Sequence, residues 1–97
     1  YFDAKCRFLG DCQLTTGSLN FAYVSPMELF REALLKNAVM VVALHNHPSG
    51  DPSPSEEDLG LTNTVAQGAK LLGLTFADHI IIGDRCYFSF KENHLLE

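Results

Sequence analysis

With 97 residues, 46% of them hydrophobic, the chain has room for one domain with a real core and little room for a second. Its 7 basic against 12 acidic side chains leave a net charge of −5, which repels phosphate backbones and argues against nonspecific nucleic-acid binding. The longest unbroken apolar run, 38–44, is far too short to span a bilayer, and no signal-peptide pattern opens the sequence.

The chain starts on Tyr1-Phe2-Asp3 without an initiating methionine, which reads as a strand end running into a turn within something longer. Residues 3–6 predict a hairpin turn, 7–15 a strand, 17–20 a loop and 21–24 a short strand. A helix follows. Ser25 is its N-cap, Pro26 takes the first helical position and Glu28 completes a capping box. Met27, Phe30, Ala33 and Leu34 mark its apolar face, and it ends near Asn37.

Next comes AVMVVAL, residues 38–44, short, continuous and rich in valine. That pattern predicts a strand buried on both faces, central in a sheet covered by helices. Directly after it stands HNHPSGDPSPSEED, residues 45–58. A second helix is expected from just after Ser55, with Ser55 as N-cap and Asp58 as its capping partner. Leu59, Thr62, Val65, Ala66, Ala69 and Leu72 supply an inward face, and Gly73 stops the helix. LTFADHIII (74–82) predicts a strand, Gly83-Asp84-Arg85 a turn, and CYFSF (86–90) a returning strand with Cys86 packed in the sheet. The tail from Lys91 is polar and reads as frayed. The order β, β, α, β, α, β, β indicates an α/β layered domain with a mixed sheet.

Residues i and i+2 of an extended chain point the same way, about 7 Å apart. His45 and His47, leaving the carboxyl end of the buried strand, therefore converge on one point, at the sheet end where α/β domains place ligands. Pro48, Pro52 and Pro54 stiffen a loop that folds back and brings the Asp58 carboxylate to the same place. Two imidazoles and a carboxylate suit zinc, and three protein ligands leave a fourth position for water, as in catalytic sites. Zinc lowers the pKa of that water towards about 7 and polarises a carbonyl. The Ser55 hydroxyl, at the mouth of the helix, is placed to donate to an oxyanion on the substrate, where the positive end of the helix dipole adds to it. Each residue alone also has a plainer reading: Asp58 as a residue of the first helical turn, Ser55 as a cap, the histidines as structural groups. His79, on the strand 74–82, reads as a structural or supporting hydrogen-bonding group rather than a ligand.

The three cysteines, Cys6, Cys12 and Cys86, are odd in number and contain no Cys-x-x-Cys, so they read as free thiols of a reducing cytoplasm. The nucleoside deaminase signature (His-x-Glu with Pro-Cys-x-x-Cys) and the zincin motif His-Glu-x-x-His are both absent from the sequence.

His45-Asn46-His47-Pro48, six residues, Ser55, two residues and Asp58 resemble the JAMM (JAB/MPN+) metalloprotease motif, H-x-H-P-x6-S-x2-D. The wider text, with SPMELFREAL upstream and LLG and DHIIIGD downstream, resembles the RadC family in particular, from Asp3 to about Lys91. The resemblance implies a deaminase-like three-layer α/β/α sandwich of the JAB/MPN type. It also implies zinc held by His45, His47 and Asp58, oxyanion stabilisation by Ser55, and hydrolysis of a peptide or isopeptide bond in a peptide or protein substrate. RadC proteins have been described as DNA repair proteins, a role that the acidic composition does not independently support. JAMM enzymes use a glutamate upstream of the histidines as general base. Here no glutamate precedes Glu28, read first as a cap and only second as a candidate base, and the resemblance implies that the base lies in a strand before Tyr1. Glu56 and Glu57 read as solvated. A noncatalytic JAB-fold binding module is the alternative; such relatives typically lose metal ligands, and all three are present here.

Overall fold

Two helices and a three-stranded mixed sheet make up the fold in a computed structural model that describes residues 1–14 and 25–96. The elements are α1 (Pro26–Leu35), β1 (Met40–Asn46), α2 (Glu56–Leu72), β2 (Thr75–Ile82) and β3 (Tyr87–Ser89). The sheet order is β1-β2-β3, with β1 and β2 parallel and β2 and β3 antiparallel. Parallel neighbours need a long crossover, and α2 with its leading loop provides it.

α1 has the expected N-cap, with Ser25 Oγ accepting the Glu28 N–H and Pro26 in the first turn, but of the expected capping box only this half forms: the Glu28 side chain does not take up the Ser25 N–H. It stops sooner than Asn37. Asn37 takes φ 55°, and the Ala38 N–H donates to the Ala33 carbonyl, so the chain leaves the helix in a left-handed cap. That cap consumes Ala38 and delays β1 to Met40. At its other end β1 outlasts the apolar run. Asn46 still pairs with Ile82, and the His47 N–H donates to the Ile82 carbonyl at 3.0 Å.

β1 is not central among the described strands but lies at the edge of the sheet. Val41 and Ala43 are buried while Leu44 is 66% exposed, so the continuous apolar run carries one covered face, not two. The hairpin turn at 3–6 forms, held by the Asp3 carboxylate, which accepts from the Lys5 and Arg7 backbone N–H groups and from Arg7 Nε. The strand expected over 7–15 is reduced, within residues 7–14, to one bridge between Phe2 and Phe8. The loop 17–20 and the strand 21–24 lie outside the described residues. The tail from Lys91 is turned rather than frayed: the Leu95 N–H returns to the Phe90 carbonyl and the Asn93 side chain to the Ser89 carbonyl.

α2 begins and ends at the expected residues, with Gly73 at φ 77° as its cap. Its inward face is rotated from the expected one. Asp58, Thr62, Val65 and Ala69 are buried, while Leu59 and Leu72 are 39% and 48% exposed. The steps of four, three and four residues define one helical stripe that includes the carboxylate.

β2 contains an irregularity that matters for the site. Val41 pairs with Phe76 but Val42 pairs with Asp78, leaving Ala77 as an extra residue. The insertion shifts the alternation of β2 by one. Phe76, His79 and Ile81 then share the buried face with Val41 and Ala43, while Asp78 points away to accept from Ser89 Oγ and the Lys91 N–H. The main core joins Leu29 and Ala33 of α1, Val41 and Ala43 of β1, Val65 and Ala69 of α2, Phe76 of β2, and Tyr1.

Candidate metal centre

β1 delivers His45 and His47 two residues apart, one at the end of the strand and one just beyond it. Their rings lie 4.7 Å apart and nearly perpendicular, so both approach one point from different directions. α2 delivers Asp58 from its first turn, 1% exposed. His45 Nδ1 lies 3.8 Å from Asp58 Oδ1, and His47 Nε2 lies 3.3 Å from Asp58 Oδ2. One potential ligand atom from each residue falls within 4.8 Å of the others. The sequence-predicted trio is thus brought together.

The surrounding bonds orient each member. His47 Nδ1 lies 3.0 Å from the Asp51 carbonyl. A carbonyl only accepts, so this contact places a proton on Nδ1 and, in the neutral ring, leaves the Nε2 lone pair facing Asp58. Burial pushes the His45 pKa down; the Asp58 carboxylate partly offsets this, and His47 adds to it. A neutral imidazole is the form that binds a metal. Asp58 is oriented by a full capping box. Its backbone N–H donates to Ser55 Oγ at 3.1 Å, and its Oδ2 accepts the Ser55 N–H at 2.9 Å. Cap and candidate ligand are therefore the same residue, with the work divided between the two carboxylate oxygens.

Asp58 Oδ1 is buried and, among the described residues, accepts no hydrogen bond. A buried carboxylate oxygen left in that state is costly unless a cation complements it. Two imidazole nitrogens and this oxygen form a donor set that fits zinc.

The half-buried Ser55 accepts the Asp58 N–H through its Oγ and retains its own hydroxyl proton to donate. Glu28 bonds Ser25 through its backbone on α1 and is not part of the cluster. Glu56 and Glu57 are exposed, as expected. Cys86 does not pack in the sheet: it is exposed, and its thiol points at the Gly50 carbonyl at 3.8 Å. His79 is fully buried, stacked on Phe90 at 4.6 Å and on His45 at 5.9 Å. Burial pushes its pKa down to about 4, and the neighbouring His45 adds to the effect. Its Nδ1 lies 2.7 Å from Thr62 Oγ1. Thr62, which the sequence pattern marks only as an inward helix residue, is brought to the edge of the site through this bond. Its place four residues after Asp58, a polar side chain on the same stripe, was the available signal.

The family model of the RadC-like JAB domain matches residues 1–95. A UPF0758 protein of Methanosarcina acetivorans is 49% identical over 92 residues, covering 95% of this chain and 40% of that protein. UPF0758 proteins of Halalkalibacterium halodurans and Desulfitobacterium hafniense are 48% and 46% identical with the same coverage. The chain thus spans about 40% of the length of these curated relatives. A domain match across nearly the whole chain, on a fold that gathers His45, His47 and Asp58, makes this chain a member of the RadC-like JAB domain family.

Proposed function

We propose that the chain is the metal-binding part of a cytoplasmic zinc-dependent hydrolase that cuts a peptide or isopeptide bond, within a three-layer α/β/α sandwich of the JAB/MPN type. The observation that carries this reading is the convergence of His45, His47 and the buried, unbonded Asp58 Oδ1. Bound there, zinc would supply an activated water and polarise the scissile carbonyl. The remaining work falls to the chain. His47 is held in one tautomer by the Asp51 carbonyl, and Asp58 is fixed by the cap. Ser55 would donate its hydroxyl to the developing oxyanion at the positive end of α2.

A general base completes such a site, and we place it outside these 97 residues. Among the described residues Asp58 is the one carboxylate in the cluster, and it is committed to ligand and cap. Phe2 pairs antiparallel with Met40. A segment continuing that register before Tyr1 would run beside β1 and bring a residue roughly six positions upstream level with His47.

The test compares this chain with one extended upstream by its native residues, at matched zinc occupancy, on peptide and isopeptide substrates. The extended chain should be faster by about 10²–10⁴, and its activity should disappear on chelation. Ser55→Ala in the extended chain should lower kcat by about 10²–10³. An extended, zinc-loaded chain that cleaves neither substrate overturns the hydrolase reading in favour of a noncatalytic binding module.

A further inference from the structure

His79 and Thr62 are not ligands, yet they form a buried link between the two elements that carry the ligands. We infer that His79, held by Thr62, is a positioning residue of the metal centre that sets the plane of the His45 ring and its separation from Asp58. This rests on the metal reading above and assigns it two further residues.

Three independent features converge on the pair. The first is the extra residue at Ala77. Without it, the alternation of β2 would turn Phe76, Asp78 and Ile80 to one face. With it, His79 faces the same side as Ala43, its register partner, and lies beneath His45, two residues further along β1. The second is the ring stack. His79 lies 15° from the plane of Phe90 and 24° from that of His45, so the His45 imidazole rests on a ring that is itself packed against the core. The third is the hydrogen bond. Thr62 is 2% exposed and stands one helical turn after Asp58 on the buried stripe of α2. Its Oγ1 reaches His79 Nδ1 at 2.7 Å. The path Asp58, α2 backbone, Thr62, His79, His45 therefore joins both sides of the cluster through rigid elements. Groups that orient a ligand without touching the metal typically change metal affinity by about 10–100-fold when removed.

The test uses zinc alone as the probe. Zinc affinity is measured by competition against a chromophoric chelator, and cobalt replaces zinc for the visible absorption spectrum. Four chains are compared: wild type, Thr62→Val, Thr62→Ser and His79→Phe. Thr62→Val removes the hydroxyl at nearly constant volume, and His79→Phe keeps a stacking ring but loses the bond. Each should weaken zinc about 10-fold or more and alter the cobalt spectrum, with helical content retained. Thr62→Ser keeps the hydroxyl and should restore wild-type affinity, which a purely volumetric role would not give. If His79→Phe fails to fold, the threonine pair decides. Wild-type affinity and spectrum in folded Thr62→Val would overturn the inference while leaving the metal site standing. Absence of zinc binding by the wild type would overturn the metal reading itself, and this inference with it.

Discussion

Asp58 shows how much one side chain settles here. Oδ2 closes the capping box with Ser55, Oδ1 faces His45, and the residue sits on the buried stripe of α2. Helix cap and candidate metal ligand are thus the same residue, so a cap reading and a ligand reading of Asp58 are compatible. His79 is the other consequential residue. Its pKa is pushed to about 4 by burial, from an ordinary 6.5. Between those values the unfolded chain binds a proton that the folded chain refuses. The stability this represents is present above about pH 6.5 and is lost as pH falls to about 4, to a total of about 3 kcal/mol. In the metal-free chain, urea unfolding across that window should show stability rising with pH. His79→Phe should flatten the rise to the share left by His45, whose pKa is also lowered. An unchanged slope in the variant would mean that His79 titrates normally in the fold.

The elements differ in how far they could be read beforehand. α2 was legible almost to the residue because its signals are local: Ser55 and Asp58 at one end, Gly73 at the other. The histidine pair was legible for the same reason, since two side chains two residues apart on a strand must share a side. The bulge at Ala77 was not legible. TFADHIII alternates plausibly as a regular strand, and only pairing with β1 reveals the extra residue. The place of β1 at one side of the three described strands was also hidden, because a valine-rich run does not say which strands lie along its two edges. The β2–β3 turn carries a further tertiary constraint. A Cβ at Gly83 would collide with the Gly50 carbonyl oxygen and meet Pro52 Cδ at 2.9 Å. Beside it, the Asp84 N–H donates to that same Gly50 carbonyl at 2.8 Å. The turn thereby docks onto the loop that leaves His47. Gly83→Ala should push the two apart, costing about 1–3 kcal/mol and weakening zinc binding together. Thermal melts and chelator competition check both, and a variant equal to wild type in each would show that the loop yields without cost.

At the scale of the whole molecule, a small mixed sheet with two helices brings together residues from one strand end and one helix start. The α/β class and the mixed sheet followed from the alternation of elements; the strand order and the reduction of the segment 7–14 depended on contacts distant in sequence. The described helices include none long and apolar enough to cross a membrane. The net charge of −5 gives no electrostatic support to nucleic-acid binding. If His45, His47 and Asp58 hold one zinc ion, as proposed, X-ray absorption at the zinc edge on the zinc-loaded chain will see it. About one zinc per chain is expected, lost in His47→Ala. Its nearest shell should contain only nitrogen and oxygen at about 2.0–2.2 Å, with the outer scattering of two imidazole rings. A sulfur neighbour at about 2.3 Å, which would bring Cys6, Cys12 or Cys86 to the metal, or full zinc occupancy retained by His47→Ala, would contradict it.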